Sequence, residues 1–415
     1  MRLLIVSQYF WPETFRVNDL VEGLRQRGHD VTVLTGVPNY PEGSVFAEYK
    51  AHPADFDTYY GAEVLRVPMI PRGKSYPMLA LNYLSFALSA SILGAWKLRG
   101  RAFDAIFVFQ VSPITAALPA LLLRRLKRAP VLMWVLDLWP ESLSAIGAIR
   151  AGLALRLIGR LVSFIYARCD RILIVSLAFS KNIQRYARSE KRIRYFPNWI
   201  EPVFTRGGQS PKPPMELAEF ADTFNVMFAG NIGEAQDMTS VINAADAVRD
   251  LDDVRWLIVG DGRAVPQLRT EIERRGLGRH VILLGRHDTE CMPAFFAAAD
   301  AMLVSLRPDP VWSMTTPGKV QSYMAAAKPI LAMLDGEGAR VVTESGGGLA
   351  ADAGDAAGLA ANLRRLHALC PAERQAMGER ARQYAADAFD RETQFSRLDG
   401  WLTEVVEEFS VSGGC

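Results

Sequence analysis

Cysteine and histidine are scarce in this chain, four and five residues in 415. The cysteines, Cys169, Cys291, Cys370 and Cys415, lie far apart and in no ligand-like spacing, which excludes a zinc site and a disulfide frame and points to a reducing compartment. The opening MRLLIVSQYF has only a four-residue apolar run and no small-residue cleavage site, so it reads as a first β-strand and not as a signal peptide. The turn after it lacks the glycines of a dinucleotide fingerprint. It offers Glu13, Arg16 and Asn18 instead, so no pyrophosphate cradle is expected there. These three residues suit a sugar or an acceptor, although Glu13 and Arg16 would serve equally as an ion pair capping the next helix. Asp-x-Asp is missing from every candidate site loop, and no metal site is expected.

Charge is missing altogether from Ser75 to Trp96, a run of 22 residues. That length suffices to span a bilayer. However, the run holds Asn82 and six hydroxyl residues and interrupts an alternating strand–helix pattern, so a span would separate two halves of one sheet. The expectation is a helix half-buried in its domain and half immersed in a membrane interface, with Lys97, Arg99 and Arg101 at headgroup level. A wholly buried core helix is the alternative. Basic residues flank apolar surface twice more, at Arg124, Arg125, Lys127 and Arg128, and at Arg150, Arg156, Arg160 and Arg168. The net charge of +2 conceals this asymmetry: Met1 to Thr205 carries 26 Lys and Arg against 15 Asp and Glu, and the remainder 21 against 30. An anionic membrane surface or a polyphosphate fits the first half better than nucleic acid does, because the cations sit beside apolar runs.

Strands and helices alternate throughout, which predicts an α/β protein with two doubly wound domains. The first domain is expected over 1–205. A Gly/Pro-rich linker, RGGQSPKPP, opens the second over 206–390, and a C-terminal helix over about 391–415 packs back on the first. In the second half, FAGNIG, LIVGDG and ILLGR each end a strand on a glycine, and Gly230, Asn231, Gly233 and Gly262 lie in such turns. One such turn says little, but three in succession mark a nucleotide-binding domain. The segment Ser305 to Met333 then runs strand, polar loop with Ser313, Thr315 and Thr316, and a helix beginning near Pro317. Unpaired amides at that helix start, with Lys319 one turn in, form a candidate anion site. An ordinary strand–helix turn with a solvated lysine is the alternative.

The motifs SQYFWPE, RGHDVTVLTG, LDLWPES, FPNWIEPVF, AGNIGEAQ and PGKVQSYMAAAKP resemble the retaining GT-B glycosyltransferases of family 4, over nearly the whole length. They are most similar to bacterial transferases acting on lipid-linked sugars, such as the N-acetyl-L-fucosaminyltransferases of O-antigen assembly. The resemblance implies two Rossmann-like domains facing a cleft, a UDP-sugar donor, a polyprenyl-diphosphate-linked acceptor, and retention without a metal ion or other cofactor. It also implies a peripheral place on the cytoplasmic face of the inner membrane. The chain departs from the family where two glutamates would stand, at Met314 and Ser322, and where a diphosphate clamp would stand, at Asn231 and Gln236.

On this resemblance Gln321 or Ser322 takes the ribose, and Gly230, Asn231 and Gly233 let the sugar or phosphate approach. Gly262, Arg286 or His287 meets the base. Thr316, Lys319 and the amides behind it hold the diphosphate, with Arg286 or Arg307 assisting. Asp137, Glu13 and Arg16, with Asn18 and Glu141, stand on the acceptor side, and Asp137 would equally suit a helix cap or a structural ion pair. Two other readings remain at this point. One is a nucleotide-sugar epimerase, which would have no use for a lipid-facing domain. The other is a non-catalytic membrane partner, suggested by the missing glutamates.

Overall fold

A computed structural model describes residues 1–73, 75–145, 152–187, 189–205 and 214–412. Arg150, Cys415 and most of the expected linker lie outside the described residues. The chain forms two compact units, Met1–Phe196 with Phe395–Cys415, and Pro197–Gln394. The first unit therefore ends earlier than the expected Thr205. Residues after Phe196 are held by the second unit: the Ile200 amide donates to the Phe389 carbonyl at 3.0 Å and the Phe204 ring stacks on Phe296.

The first unit is an eight-stranded sheet. Its strands are β1 (Arg2–Val6), β2 (Asp30–Gly36), β3 (Thr58–Tyr59), β4 (Ala62–Val67), β5 (Ala105–Gln110), β6 (Val131–Val135), β7 (Arg171–Ile174) and β8 (Ile193–Tyr195). Their order is β3-β4-β2-β1-β5-β6-β7-β8, parallel except for the β3–β4 pair. Continuous apolar runs such as VLMWV in β6 are buried on both faces, as a helix-covered parallel sheet requires. Strand order reverses between β1 and β5, and ligands of such sheets lie beyond the strand ends at that point.

Helix α1 (Arg16–Gln26) leads leftward from β1, burying Val17, Leu20, Val21 and Leu24 at helical spacing. Four helices lead the other way: α2 (Tyr76–Lys97), α3 (Leu118–Lys127), α4 (Gly152–Tyr166) and α5 (Phe179–Ala187). Right-handed crossovers place these four on one face and α1 on the other. Helix α2 is long and apolar enough to cross a membrane. One of its sides is nevertheless tied to the sheet unit: Asn82, fully buried, accepts from Gln8 and donates to the Ile70 carbonyl, and a Cβ on Gly94 would meet Leu34 at 2.8 Å. Its other side exposes Leu81, Leu84, Leu88, Ile92 and Trp96, one stripe at helical spacing.

The second unit is a six-stranded parallel sheet, order β11-β10-β9-β12-β13-β14. Its strands are β9 (Phe224–Ala229), β10 (Val254–Val259), β11 (Val281–Gly285), β12 (Ala301–Ser305), β13 (Ile330–Met333) and β14 (Gly348–Ala351). One apolar core lies on each face, centred on Trp256 and Val226 on one side and on Tyr323 and Phe295 on the other. Helices α6 (Met238–Ala247), α7 (Val265–Arg275) and α8 (Gly318–Ala325) cover it in part. The reversal point here is between β9 and β12. The last helix, α9 (Arg391–Ser412), returns to the first unit. Phe395, Leu398, Leu402 and Val405 are buried, each contributing about 1.5–3 kcal/mol. Asp399 meets Arg27 and His29, and Glu404 and Glu408 meet Arg171.

Candidate active site

In the second unit the site grows from the end of β9. Tyr323, buried in α8, donates its hydroxyl to the Ala229 carbonyl at 3.0 Å and accepts from the Ala229 amide at 2.9 Å, fastening the helix to that strand end. Lys319 lies one turn earlier on the same side of α8. Its Nζ is buried without a hydrogen-bond partner, 3.7 Å from the centroid of the Phe228 ring. A Cβ on Gly230 would stand 3.1 Å from that nitrogen, and φ of +139° confirms that the position suits glycine. Burial alone pulls the lysine down to about 7. No side chain caps α8 at Pro317, so its first amides lack a side-chain acceptor. Thr315 is turned to the Trp312 carbonyl, and Thr316 is half-buried beside the helix start.

Several expected donor ligands do other work. A Cβ on Gly260 would lie 1.9 Å from the Gly230 carbonyl oxygen, and one on Gly262 would lie 2.2 Å from that of Ile232. The glycines at Gly260 and Gly262 thus admit the neighbouring turn's backbone, and Gly262 is not shaped by a base. Gln236 accepts from the Gly233 amide at 3.0 Å, while its own carbonyl accepts from Ser305. Gln321 is buried, and with its amide nitrogen facing Pro317 and Gly318 it donates to their carbonyls at 3.1 and 2.8 Å. Its amide nitrogen is turned to its own helix start, not to a ribose. Ser322 is buried on the same helix. His287 meets the Leu284 carbonyl at 3.0 Å and packs on Phe295, whereas Arg286 and Asn231 are exposed. Arg307 stacks over Trp312 at 4.7 Å.

The acceptor-side candidates of the first unit divide similarly. Glu13 is buried and accepts from the amides of Asn39, Tyr40 and Phe10 at 2.8, 2.7 and 3.1 Å. It is an anchor for two loops, not an ion-pair partner awaiting substrate. Burial pushes it up to about 7 against the pull of those three donors. Asn18 is equally structural, accepting from the Trp11 amide and donating to the Glu13 carbonyl. Arg16 opens α1, half-exposed. Glu141 accepts from Asn182 at 2.7 Å and from Tyr186 at 3.3 Å, and its Oε2 is buried without a partner. Asp137 accepts from Ser142 and, at 3.3 Å, from the Trp139 indole, and burial pushes it up to about 6.

Asp137 belongs to a polar cluster that sequence reasoning missed. Trp139 also donates to Ser112 at 3.2 Å, and the Tyr83 ring meets Trp139 edge-on. At the strand reversal, Gln110 has both amide atoms buried and unpaired, as are Gln8 Oε1, Thr115 Oγ1 and the Tyr9 hydroxyl. An unpaired buried polar atom costs about 1–3 kcal/mol, so such a concentration marks a place where water or a polar ligand belongs. The available signal was a glutamine ending or following each of two apolar strands, AIFVFQ and RLLIVSQ.

Residues 14–199 match the family described as glycosyl transferase 4-like domain, and residues 223–368 match that of glycosyl transferases group 1. The chain is thus built of two glycosyltransferase domains, one of each family, and its fold is of the GT-B class. A probable glycosyltransferase of Pseudomonas aeruginosa, WbjE, is 27% identical over 63% of this chain and 66% of its own length. WcaI of Escherichia coli K12, named for colanic acid biosynthesis, is 25% identical over 73% of this chain and 76% of its own. Anabaena HepE, solved with UDP and glucose, aligns over 97% of this chain and 99% of its own with a TM-score of 0.68 and 16% identity. At that identity the likeness establishes the fold alone.

Proposed function

We propose that this glycosyltransferase moves an N-acetylated amino sugar from a UDP donor to a polyprenyl-diphosphate-linked saccharide during surface polysaccharide assembly. The observation that carries the donor half is Lys319: a lysine nitrogen buried without a partner beside Gly230, at the uncapped start of α8. A diphosphate would supply the missing counter-charge. As the bond from the sugar's anomeric carbon to the diphosphate breaks, its electron pair leaves on phosphate oxygen, and Lys319 with the first amides of α8 stabilises that charge. The acceptor hydroxyl oxygen bonds to the same carbon, and its proton passes to the departing phosphate, so configuration is retained without a metal ion. The polar cluster of Tyr83, Ser112, Asp137 and Trp139 is assigned to the acceptor.

The exposed stripe of α2, with Leu122 and Leu126 of α3 on the same face of the sheet, supports peripheral attachment to an anionic inner-membrane surface on the cytoplasmic side. The name of WcaI supports a place in surface polysaccharide assembly, and the UDP in HepE supports a UDP-linked donor. Calorimetric titration with UDP, GDP and TDP, without metal, tests the donor assignment. Selective UDP binding that weakens about ten- to a hundredfold in Lys319→Ala is expected. Failure to bind any of the three would favour a non-catalytic membrane partner.

A further inference from the structure

The helical layer over the first unit's sheet carries an open groove, lined by exposed arginines, to which the steps of the transfer above assign no role. It lies between α4 and α5, has a volume of about 740 Å³, and is lined by three arginines with Gly159, Phe164 and Tyr186 among their neighbours. Arg156 and Arg160 stand one turn apart on α4, and α5 contributes Arg185. Like charges at that spacing repel along a helix. Arg156 donates to the Gly152 carbonyl at 3.3 Å, and among the described residues no aspartate or glutamate lines the groove. Gly159 shapes its floor: a Cβ there would stand 3.3 Å from the Tyr186 ring, and its absence lets α5 close on α4. The Tyr186 hydroxyl donates to Glu141, which holds that ring as a wall. Leu153, Leu157 and Phe164 stand exposed on the same helix, so the arginines are bordered by apolar surface.

Guanidinium forks match phosphate oxygens two at a time, and leucines beside them suit a hydrocarbon chain. A polar polyanion would gain nothing from that rim. We infer that this groove binds the phosphate or diphosphate head of an anionic amphiphile, whose chain lies along the exposed leucines of α4. Two sources share this chemistry, a phospholipid of the bilayer and the prenyl diphosphate of the acceptor. Both rest on the function proposed above, the first on its membrane attachment and the second on its acceptor.

The test uses the full chain, wild type beside Arg156→Gln/Arg160→Gln and Arg185→Gln. The probes are farnesyl diphosphate, inorganic pyrophosphate, and phosphatidylcholine vesicles containing phosphatidylglycerol. A UDP titration reports the fold and the donor site separately. Losing two charge-assisted phosphate contacts should weaken farnesyl diphosphate by about a hundredfold or more, with UDP binding unchanged and pyrophosphate binding weaker than farnesyl diphosphate in the wild type. Loss of farnesyl diphosphate with vesicle flotation retained identifies the acceptor. Loss of flotation, with no farnesyl diphosphate binding to the wild type, identifies the bilayer. Variants that bind both probes like the wild type overturn the site, and pyrophosphate binding as tightly as farnesyl diphosphate overturns the amphiphile.

Discussion

If the diphosphate meets Lys319 as proposed, nucleotide binding should draw a proton from solution, because burial leaves that lysine largely neutral before the ligand arrives. An ordinary lysine titrates at 10.5, whereas burial holds this one at about 7. At pH 8 it is therefore about nine-tenths neutral, and at pH 7 about half. A bound diphosphate restores the preference for the ammonium, so the complex takes up about 0.5 proton at pH 7 and about 0.9 at pH 8. The same linkage weakens UDP about fiftyfold between pH 7 and pH 9, if the bound lysine returns to its ordinary value. Calorimetry in two buffers of different ionisation enthalpy measures the uptake directly, since the apparent enthalpies differ by the protons transferred. Lys319→Ala should bind UDP more weakly by about ten- to a hundredfold, the value of a hydrogen bond to a charged group, and should show no uptake. Equal enthalpies in both buffers, with affinity flat from pH 7 to 9, would refute the reasoning: the lysine would already be charged, or the diphosphate would lie elsewhere.

Gly260→Ala should destabilise the second unit by about 3 kcal/mol or more, because its Cβ would meet the Gly230 carbonyl at 1.9 Å and its φ is +140°. Chemical denaturation checks this, and an unchanged midpoint would mean that the two turns do not touch. Asp137→Asn should flatten the pH dependence of stability between about 4 and 6. In the wild type the unfolded carboxyl, ordinarily at 3.8, releases its proton while the folded one keeps it to about 6, so stability falls as pH rises through that window. Denaturation midpoints that change equally with pH in both proteins would count against the buried, protonated form.

The strands were legible because a parallel sheet buried on both faces demands continuous apolar runs, and VLMWV or AMLVS can be little else. Lys319 was legible for a related reason, since strand, polar loop and helix start place a cation near the strand ends whatever else the fold does. The cluster around Gln8, Gln110 and Trp139 was not, because only the order of strands reveals that the ends of β1 and β5 are neighbours. Glu13 was misread for the opposite reason. A carboxylate in a loop looks available until its three amide donors, two of them on another loop, are in view. The glycines at Gly260 and Gly262 resemble ligand-admitting turns in sequence, and only adjacency shows that each makes room for a neighbouring carbonyl.

The return of α9 to the first unit carries a consequence for the order in which the molecule is assembled. The sheet of β1 to β8 leaves the ribosome first, yet Phe395, Leu398, Leu402 and Val405, which complete its core, are translated after the whole of the second unit. The second unit is one uninterrupted stretch and can close while its predecessor still shows an uncovered apolar surface to solvent. The half that begins the chain is therefore the half that is finished last.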